Sequence, residues 1–341
     1  MNKILLLGGA GFIGCSIAQE LALRGNAAIT IADNFRRSGG GPDEAVARLR
    51  DRMGVTVHGD DFTSAGAFDR YKDGFDFVYM LASIVGVDYV NSMPHEIIRI
   101  NASLILNTLQ WLQKVGCGRA LFSSTSECYA GSVEAFNVPV PTPESVPLAI
   151  TDIGHPRFTY AVTKMLGESG FLNYGRQLGF DSVIVRYHNV YGPRMGFKHV
   201  IPHLAQRFIR GESPFQIFGH DQTRSFNYID DAVAGTIAAA EHGRAGEIYH
   251  LGDVDEITIE SLVRFVGGLF DYKGAYVNAP TYPGSVSRRC PDISKATADL
   301  GYSPQTHWSV GVARTICWYR KYLEANAALT ESFYDNASAS G

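Results

Sequence analysis

The 341-residue chain is short of several things, and each shortage excludes a class of protein. It has five cysteines, at 15, 117, 128, 290 and 317, an odd number with no C-x-x-C pair. That argues against a disulfide framework or a zinc site, and fits reduced thiols in a cytoplasmic protein with no metal. No run approaches the roughly 18 consecutive apolar residues of a spanning helix, so no membrane is expected as a partner. Basic residues are not in excess: 30 Lys and Arg stand against 34 Asp and Glu, a formal net charge of −4. A nucleic-acid surface would show a basic stripe, so nucleic acid is not an expected partner either. Internal repeats are lacking. Prolines are few, yet Pro139, Pro141, Pro143, Pro147 and Pro156 crowd into 134–156. A loop of that length in a compact domain is a functional lid or a packed surface loop.

What remains is ordinary globular material, 45% hydrophobic and 19% charged, with length enough for a sizeable core. The opening stretch, "MNKILLLGGAGFIGC", admits two readings. A Lys, an apolar run and a cysteine after Phe12-Ile13-Gly14 look like an export signal with a lipoprotein cleavage box. Alternatively, Ile4 to Leu7 is a buried parallel strand, and Gly8, Gly11 and Gly14 form a turn into a helix carrying Ile13, Ile17 and Leu21. A second apolar run, Ala28 to Ala32, stops at Asp33, about twenty residues after the turn. Strand, glycine turn, helix and distant acid together make the βαβ dinucleotide fingerprint, which an export signal does not need. The glycines let the backbone approach a pyrophosphate, and the helix N-terminus supplies free N–H groups. Asp33 can accept hydrogen bonds from ribose hydroxyls and would repel a 2′-phosphate, which favours NAD over NADP despite Arg36 and Arg37 nearby. Cys15 is expected as a buried thiol.

Further strands are expected at Val55–Val57, Asp76–Leu81, Arg119–Ser123 and Ser182–Arg186. Helices are expected at Asp43–Met53, at Pro94–Val115 with Ile98, Leu104, Ile105, Leu109 and Leu112 on its apolar face, and from about Arg157 to Leu178. The alternation predicts an α/β fold, a Rossmann doubly wound parallel sheet with its ligand at the carboxyl ends of the strands. After Tyr187 the pattern becomes irregular. Short strands near Phe215–Phe218 and Arg224–Ile229, with helices near Asp230–His242 and Ile259–Phe270, read as a smaller mixed α/β C-terminal substrate domain. The expected division is 1–186 for the cofactor domain, with part of 225–250 returning to it, 187–325 for the substrate domain, and a frayed tail over 326–341.

Tyr160 and Lys164 form Y-x-x-x-K on one face of the long helix, one turn apart. Ser124, Thr125, Ser126 and Glu127 follow the fifth strand at the edge where ligands bind. Taken singly, these are a chance spacing, a set of turn caps and a solvated acid. Their order behind the N-terminal fingerprint is what joins them.

That order resembles the extended short-chain dehydrogenase/reductase family, the NAD-dependent nucleotide-sugar epimerases, dehydratases and decarboxylases, from the first strand to about residue 325. The matching motifs are "GGAGFIG" (8–14), Asp33, "GDD" (59–61), "LAS" (81–83), Asn101, "SSTSE" (123–127), "YAVTK" (160–164), "RYHNVYGPR" (186–194), "RSFNYIDDAV" (224–233) and "RRCPDISKA" (288–296). The resemblance implies NAD held by Gly8, Gly11, Phe12, Ile13, Gly14, Asp33, Asn34, Asp60, Asp61, Leu81, Ala82, Ser83, Asn101, Ser123, Tyr160, Lys164 and Val190. It implies that Tyr160, its pKa lowered by Lys164 and the nicotinamide, takes the proton of a sugar C4 hydroxyl to which Thr125 also bonds. Asn189, Arg194 and Arg224 match positions that hold the diphosphate or nucleoside, with a turn cap or surface ion pairs as the plainer reading.

The second step is carried by Thr125-Ser126-Glu127. Simple 4-epimerases of the family lack the glutamate, and many 4,6-dehydratases have an Asp where Ser126 stands. The Thr-Ser-Glu form looks like UDP-glucuronate decarboxylases, and also like some dehydratases. Arg289 matches a decarboxylase position near the substrate carboxylate, although a phosphate or ribose contact fits it equally. The expectation is an enzyme with a 4-keto intermediate, first a UDP-glucuronate decarboxylase, then a dehydratase, then a 4-epimerase; a catalytically idle NAD-binding scaffold is the reading from another class. The family also implies a homodimer. His188 is expected as a packed histidine or as a group touching the sugar.

Overall fold

The computed structural model describes residues 1–281 and 286–326. The tail expected over 326–341 lies outside them except for Asn326. Six strands, β1 (Asn2–Leu7), β2 (Ala27–Asp33), β3 (Thr56–Gly59), β4 (Phe75–Met80), β5 (Cys117–Thr125) and β6 (Asp181–Tyr187), join the strand Glu247–Leu251 in one sheet. From edge to edge the order is Glu247–Leu251, β6, β5, β4, β1, β2, β3, and every pairing is parallel. This is the doubly wound Rossmann sheet that the alternation predicts.

The sheet is covered on both faces, which explains why β1 reads as an unbroken apolar run. Ile4 and Leu6 point into one core with Ile17 and Leu21 of helix α1 (Phe12–Arg24) and Val46 and Leu49 of α2 (Glu44–Met53). Leu5 and Leu7 point into the other. There they meet the long helix Pro94–Val115, which follows the short α3 (Val87–Ser92) and is α4, and α6 (Phe158–Leu178), which follows α5 (Ala130–Ala135). On α4 the buried stripe is Ile97, Ile100, Asn101, Leu104, Ile105, Thr108 and Leu109, while Ile98 is 47% exposed. The expectation that Ile98 faces the core is corrected: helical spacing back from Leu104 and Asn101 reaches Ile97, and Ile98 falls about 100° around the helix from it.

Beyond β6 the chain builds a cap from helices Val200–Ile209, Ile259–Leu269 and Trp308–Ala325 with short strands between them. The strand Thr223–Ser225 pairs antiparallel with Glu256–Thr258 and parallel with Arg288–Arg289. Within this stretch the helix Ile229–His242 packs on α1 and leads back to the seventh strand of the main sheet. Phe208, Phe215, Leu262, Val312 and Ile316 extend the α1 side core into the cap without a break.

The proline-rich segment is packed down rather than raised. Thr142 bridges Pro291, donating its N–H to Cys290 O at 2.9 Å and accepting from Asp292 N at 2.9 Å. Glu144 accepts from His250 N at 2.8 Å, and the Glu144 carbonyl accepts from Arg186. The segment therefore straps the end of the cap to β6 and its neighbour, which is the packed-loop alternative. No described helix is long and apolar enough to cross a membrane.

Candidate active site

Sheet order places the carboxyl ends of β1 and β4 side by side, the switch point at which such sheets bind ligands. Gly8 leaves β1 with φ +80°, and a Cβ there would lie 2.5 Å from Ala82 N. A Cβ on Gly14 would lie 2.7 Å from Gly8 O and Gly9 Cα, so helix α1 approaches the turn as closely as backbones can. Gly11 caps α1 without a side chain, which leaves the N–H groups of Phe12 and Ile13 in the first turn open to an anion.

Asp33 ends β2 and accepts from Ala10 N at 3.1 Å and Phe35 N at 2.8 Å. Burial pushes its carboxyl up against those two bonds. Asp60 is buried and takes the Tyr71 hydroxyl at 2.6 Å and Arg70 at 3.4 Å. Asp61, with Asn34 beside it, accepts from Thr63 N at 3.0 Å. Leu81, Ala82 and Ser83 follow β4, and buried Asn101 grips the next residue at both ends, accepting from Ile84 N at 2.8 Å and donating to Ile84 O at 3.1 Å. Asn101 and Asp60 thus brace the walls of the crevice from behind.

The cluster expected to do chemistry assembles at the end of β5. Thr125 Oγ1 caps a 3₁₀ turn by accepting from Glu127 N at 3.3 Å, and it faces the Tyr160 phenol. Ser126 is buried on that turn. Lys164, one turn after Tyr160 on α6, is buried and donates from Nζ to Ser123 O at 2.7 Å, while Ser123 Oγ donates to Met80 O. Its Nζ lies 5.6 Å from the centre of the Tyr160 ring, and burial lowers its pKa to about 8.

The phenol itself departs from expectation. Burial, with Cys128 and Glu127 adding to it, raises the Tyr160 pKa, and only the Thr125 hydroxyl opposes them. Burial of the ring dominates, and Lys164 Nζ is turned to Ser123 O at 2.7 Å.

Glu127 pairs with Arg289, although 162 residues separate them. Burial pushes the carboxyl up, but Arg289, then Arg157 and Arg224, outweigh it and hold Glu127 below its ordinary value. Arg289 is carried on the strand beside Arg224. The Arg224 guanidinium donates to Thr223 O at 2.7 Å and Val286 O at 2.8 Å, and burial beside Arg289 lowers its pKa to about 10. Arg157, three residues before Tyr160, pairs with Glu134 at 2.6 Å. Sequence reading missed it, although its i, i+3 spacing from Tyr160 was a usable signal.

Not every expected residue joins this group. Asn189, at φ +41°, donates to Ser225 O at 2.8 Å, which is the turn-cap alternative, and Val190 follows it in a two-residue strand. Arg194 lies on the cofactor side: it pairs with Asp43 at 2.6 Å and reaches Ala10 O at 3.4 Å inside the glycine turn. His188 is fully buried, with its ring 4.8 Å from His250 and a nitrogen 3.3 Å from Tyr129 Oη. It is a packed histidine. No group of three or more His, Cys, Asp or Glu among the described residues is placed to hold a metal.

The backbone cradle closed to any Cβ, the open helix N-terminus and the ribose-side acid fit NAD. Residues 4–252 match the model of the NAD dependent epimerase/dehydratase family. The UDP-N-acetyl-alpha-D-glucosaminuronate decarboxylase of Bacillus cytotoxicus is 31% identical over 329 residues, spanning 94% of this chain and 98% of its own. UDP-glucuronic acid decarboxylase 1 of Arabidopsis thaliana is 30% identical over 324 residues, 94% of this chain and 70% of its own. Among solved structures, the dTDP-glucose 4,6-dehydratase of Streptomyces venezuelae with NAD bound superposes with a TM-score of 0.82 at 26% identity, covering 94% of this chain and 98% of that one. The chain belongs to the NAD-dependent epimerase/dehydratase family and is an NAD-dependent enzyme.

Proposed function

We propose that this chain decarboxylates a UDP-hexuronate, UDP-glucuronate or its 2-acetamido counterpart, through a 4-keto intermediate. The observation that carries the reading is the half-buried Glu127–Arg289 pair set against Thr125 and Tyr160, with buried Ser126 where a dehydratase would place an acid. The names of the two decarboxylase relatives support it.

The glycine turn, the first turn of α1 and Asp33 would hold NAD, which would supply a reversible acceptor for the C4 hydride and a positive ring charge. Tyr160 oxygen, as phenolate, takes the C4 hydroxyl proton while Thr125 Oγ1 bonds the same oxygen. Burial favours the neutral phenol, so the base forms only when positive charge is brought beside it. The resulting ketone is β to the C6 carboxylate. The C5–C6 bond then breaks, CO₂ leaves, and its electron pair passes to C5 and the C4 oxygen. A proton from solvent water at C5, reduction at C4 and return of the proton held by Tyr160 to the C4 oxygen complete a UDP-pentose. Arg289 has five N–H donors, so it can keep Glu127 on one arm and orient the C6 carboxylate with the other. Nearby Glu127, held ionised, opposes that second negative charge and favours its departure as neutral CO₂.

Dehydration is the second reading, because an ionised Glu127 is also a base for the C5 proton; the hydroxyl of Ser126 is a poor acid for the leaving water. Epimerisation uses neither residue. We assign 1–186 with the returning strand Glu247–Leu251 to NAD, and 187–325 to the nucleotide sugar, in which Asn189 and Arg224 line the substrate side. We also infer a cytoplasmic homodimer through α4 and α6, where Ile98, Leu106 and Leu166 are exposed. Incubation with UDP-glucuronate, UDP-N-acetylglucosaminuronate, UDP-glucose, UDP-GlcNAc and GDP-mannose, each read by product mass, tests the reaction. Loss of CO₂ from either uronate is expected. Loss of water from a neutral sugar, or an isomer of unchanged mass, would replace this reading with dehydration or epimerisation.

A further inference from the structure

Arg194 joins three segments that are far apart in the chain. Its Nη2 bonds Asp43 Oδ2 at 2.6 Å and approaches Ala10 O in the glycine turn at 3.4 Å. Its own carbonyl accepts from Arg37, on the loop between β2 and α2. The next residue, Met195, is fixed in turn to the cap, its carbonyl accepting from Tyr319 on the last helix. Ala10, whose carbonyl faces Arg194, donates its N–H to Asp33. These contacts close a ring around the corner where the ribose acid meets the glycine turn. Asp43 has a second duty: Oδ1 accepts from Val46 N at 3.1 Å and caps α2. Its side chain is 39% exposed and that of Arg194 19%.

We propose that Asp43 is a positioning residue that anchors Arg194 against the glycine turn, so that the Arg194–Asp43 pair works as a clasp slowing the escape of NAD. The chemical need is general to any reaction that removes a hydride and gives the same hydride back. A cofactor lost in mid-turnover leaves the enzyme with nothing to reduce its product. An arginine held at a fixed place by a carboxylate keeps the cap, the 34–43 loop and the turn together, which a flexible arginine would not do. The inference rests on NAD binding and not on the second step of the reaction.

Asp43→Asn separates the two duties, because asparagine caps a helix as well as aspartate but carries no charge. Enzyme loaded with NAD is diluted without sugar nucleotide, and the release rate is followed by exchange with labelled NAD. Asp43→Asn is expected to release NAD about two- to fivefold faster, the range of a partly exposed ion pair, with its melting temperature little changed. Arg194→Gln is expected to release NAD faster too, and the double variant about as fast as the faster single, since both remove one interaction. High salt should narrow the gap between wild type and Asp43→Asn. Unchanged or slower release in Asp43→Asn overturns the proposal, as do strictly multiplicative effects in the double variant. An increased KM for the sugar nucleotide with release unchanged would also overturn it and return Arg194 to the substrate. Because no sugar nucleotide is present in the release assay, its failure is distinct from failure of the decarboxylase reading.

Discussion

The cofactor side and the substrate side of this molecule are built in opposite ways. On the cofactor side the residues that outline the crevice stand at strand ends: Gly8 after β1, Asp33 at the end of β2, Asp60 after β3, Leu81 after β4. A parallel sheet brings those ends together automatically, so local sequence order determines the spatial order. The substrate side is assembled from distant pieces. Glu127 meets Arg289 across 162 residues, and Asn189 meets Ser225 across 36. The difference teaches that a site can be half written in local motifs and half in long-range packing, and that the second half carries the choice of reaction.

The largest test of this contrast is Tyr160→Phe. It should lower turnover by about a thousandfold or more, the scale of a lost acid–base group. NAD, measured by absorbance of the purified protein, should stay bound, because the substitution removes a single hydroxyl and leaves the glycine turn, Asp33 and Lys164 in place. Loss of NAD together with turnover would break the separation of the two sides. Arg289→Gln comes next. It removes the cation paired with half-buried Glu127, and kcat/KM for the uronate should fall about a hundredfold. The same substitution should leave NAD release as it is. Arg289→Gln with nearly full activity would move the carboxylate contact elsewhere.

How much was legible follows from the same contrast. Asp33 and the glycine turn were readable because the chemistry they serve needs fixed spacing along a single βαβ unit. Ile98 was misread because an apolar residue at the rim of a helical stripe looks the same in sequence as one inside it. The resemblance reads Arg194 as a diphosphate or nucleoside contact, with a surface ion pair as the plainer alternative, and nothing local names Asp43 as its partner, since the two lie 151 positions apart. Tyr160 and Lys164 are recognisable through the order of motifs that the resemblance rests on, yet the direction of the Tyr160 shift depends on burial and on the nearby Cys128 and Glu127, which only the fold brings together. The role of 134–156 was also hidden. Its prolines announce an irregular segment, and only the folded contacts of Thr142 and Glu144 show it strapping Cys290 and His250.

A smaller effect sharpens the cofactor side. In Gly14→Ala the new Cβ would press on Gly8 O and Gly9 Cα at 2.7 Å, both backbone atoms that cannot swing away. The variant should copurify with less NAD and melt a few degrees lower. Its KM for the sugar nucleotide, measured with saturating NAD, should change little. A wild-type NAD content would mean that the turn yields more easily than its contacts imply.

The most direct test of the central claim follows the carboxyl carbon itself. UDP-glucuronate and UDP-N-acetylglucosaminuronate labelled at that carbon are each incubated with the NAD-loaded enzyme, and the label is followed by NMR. The account predicts its release as CO₂ and bicarbonate from one of the two, in step with the appearance of a UDP-pentose. A label that stays on the sugar in both, with C4 inverted or water lost, would contradict it.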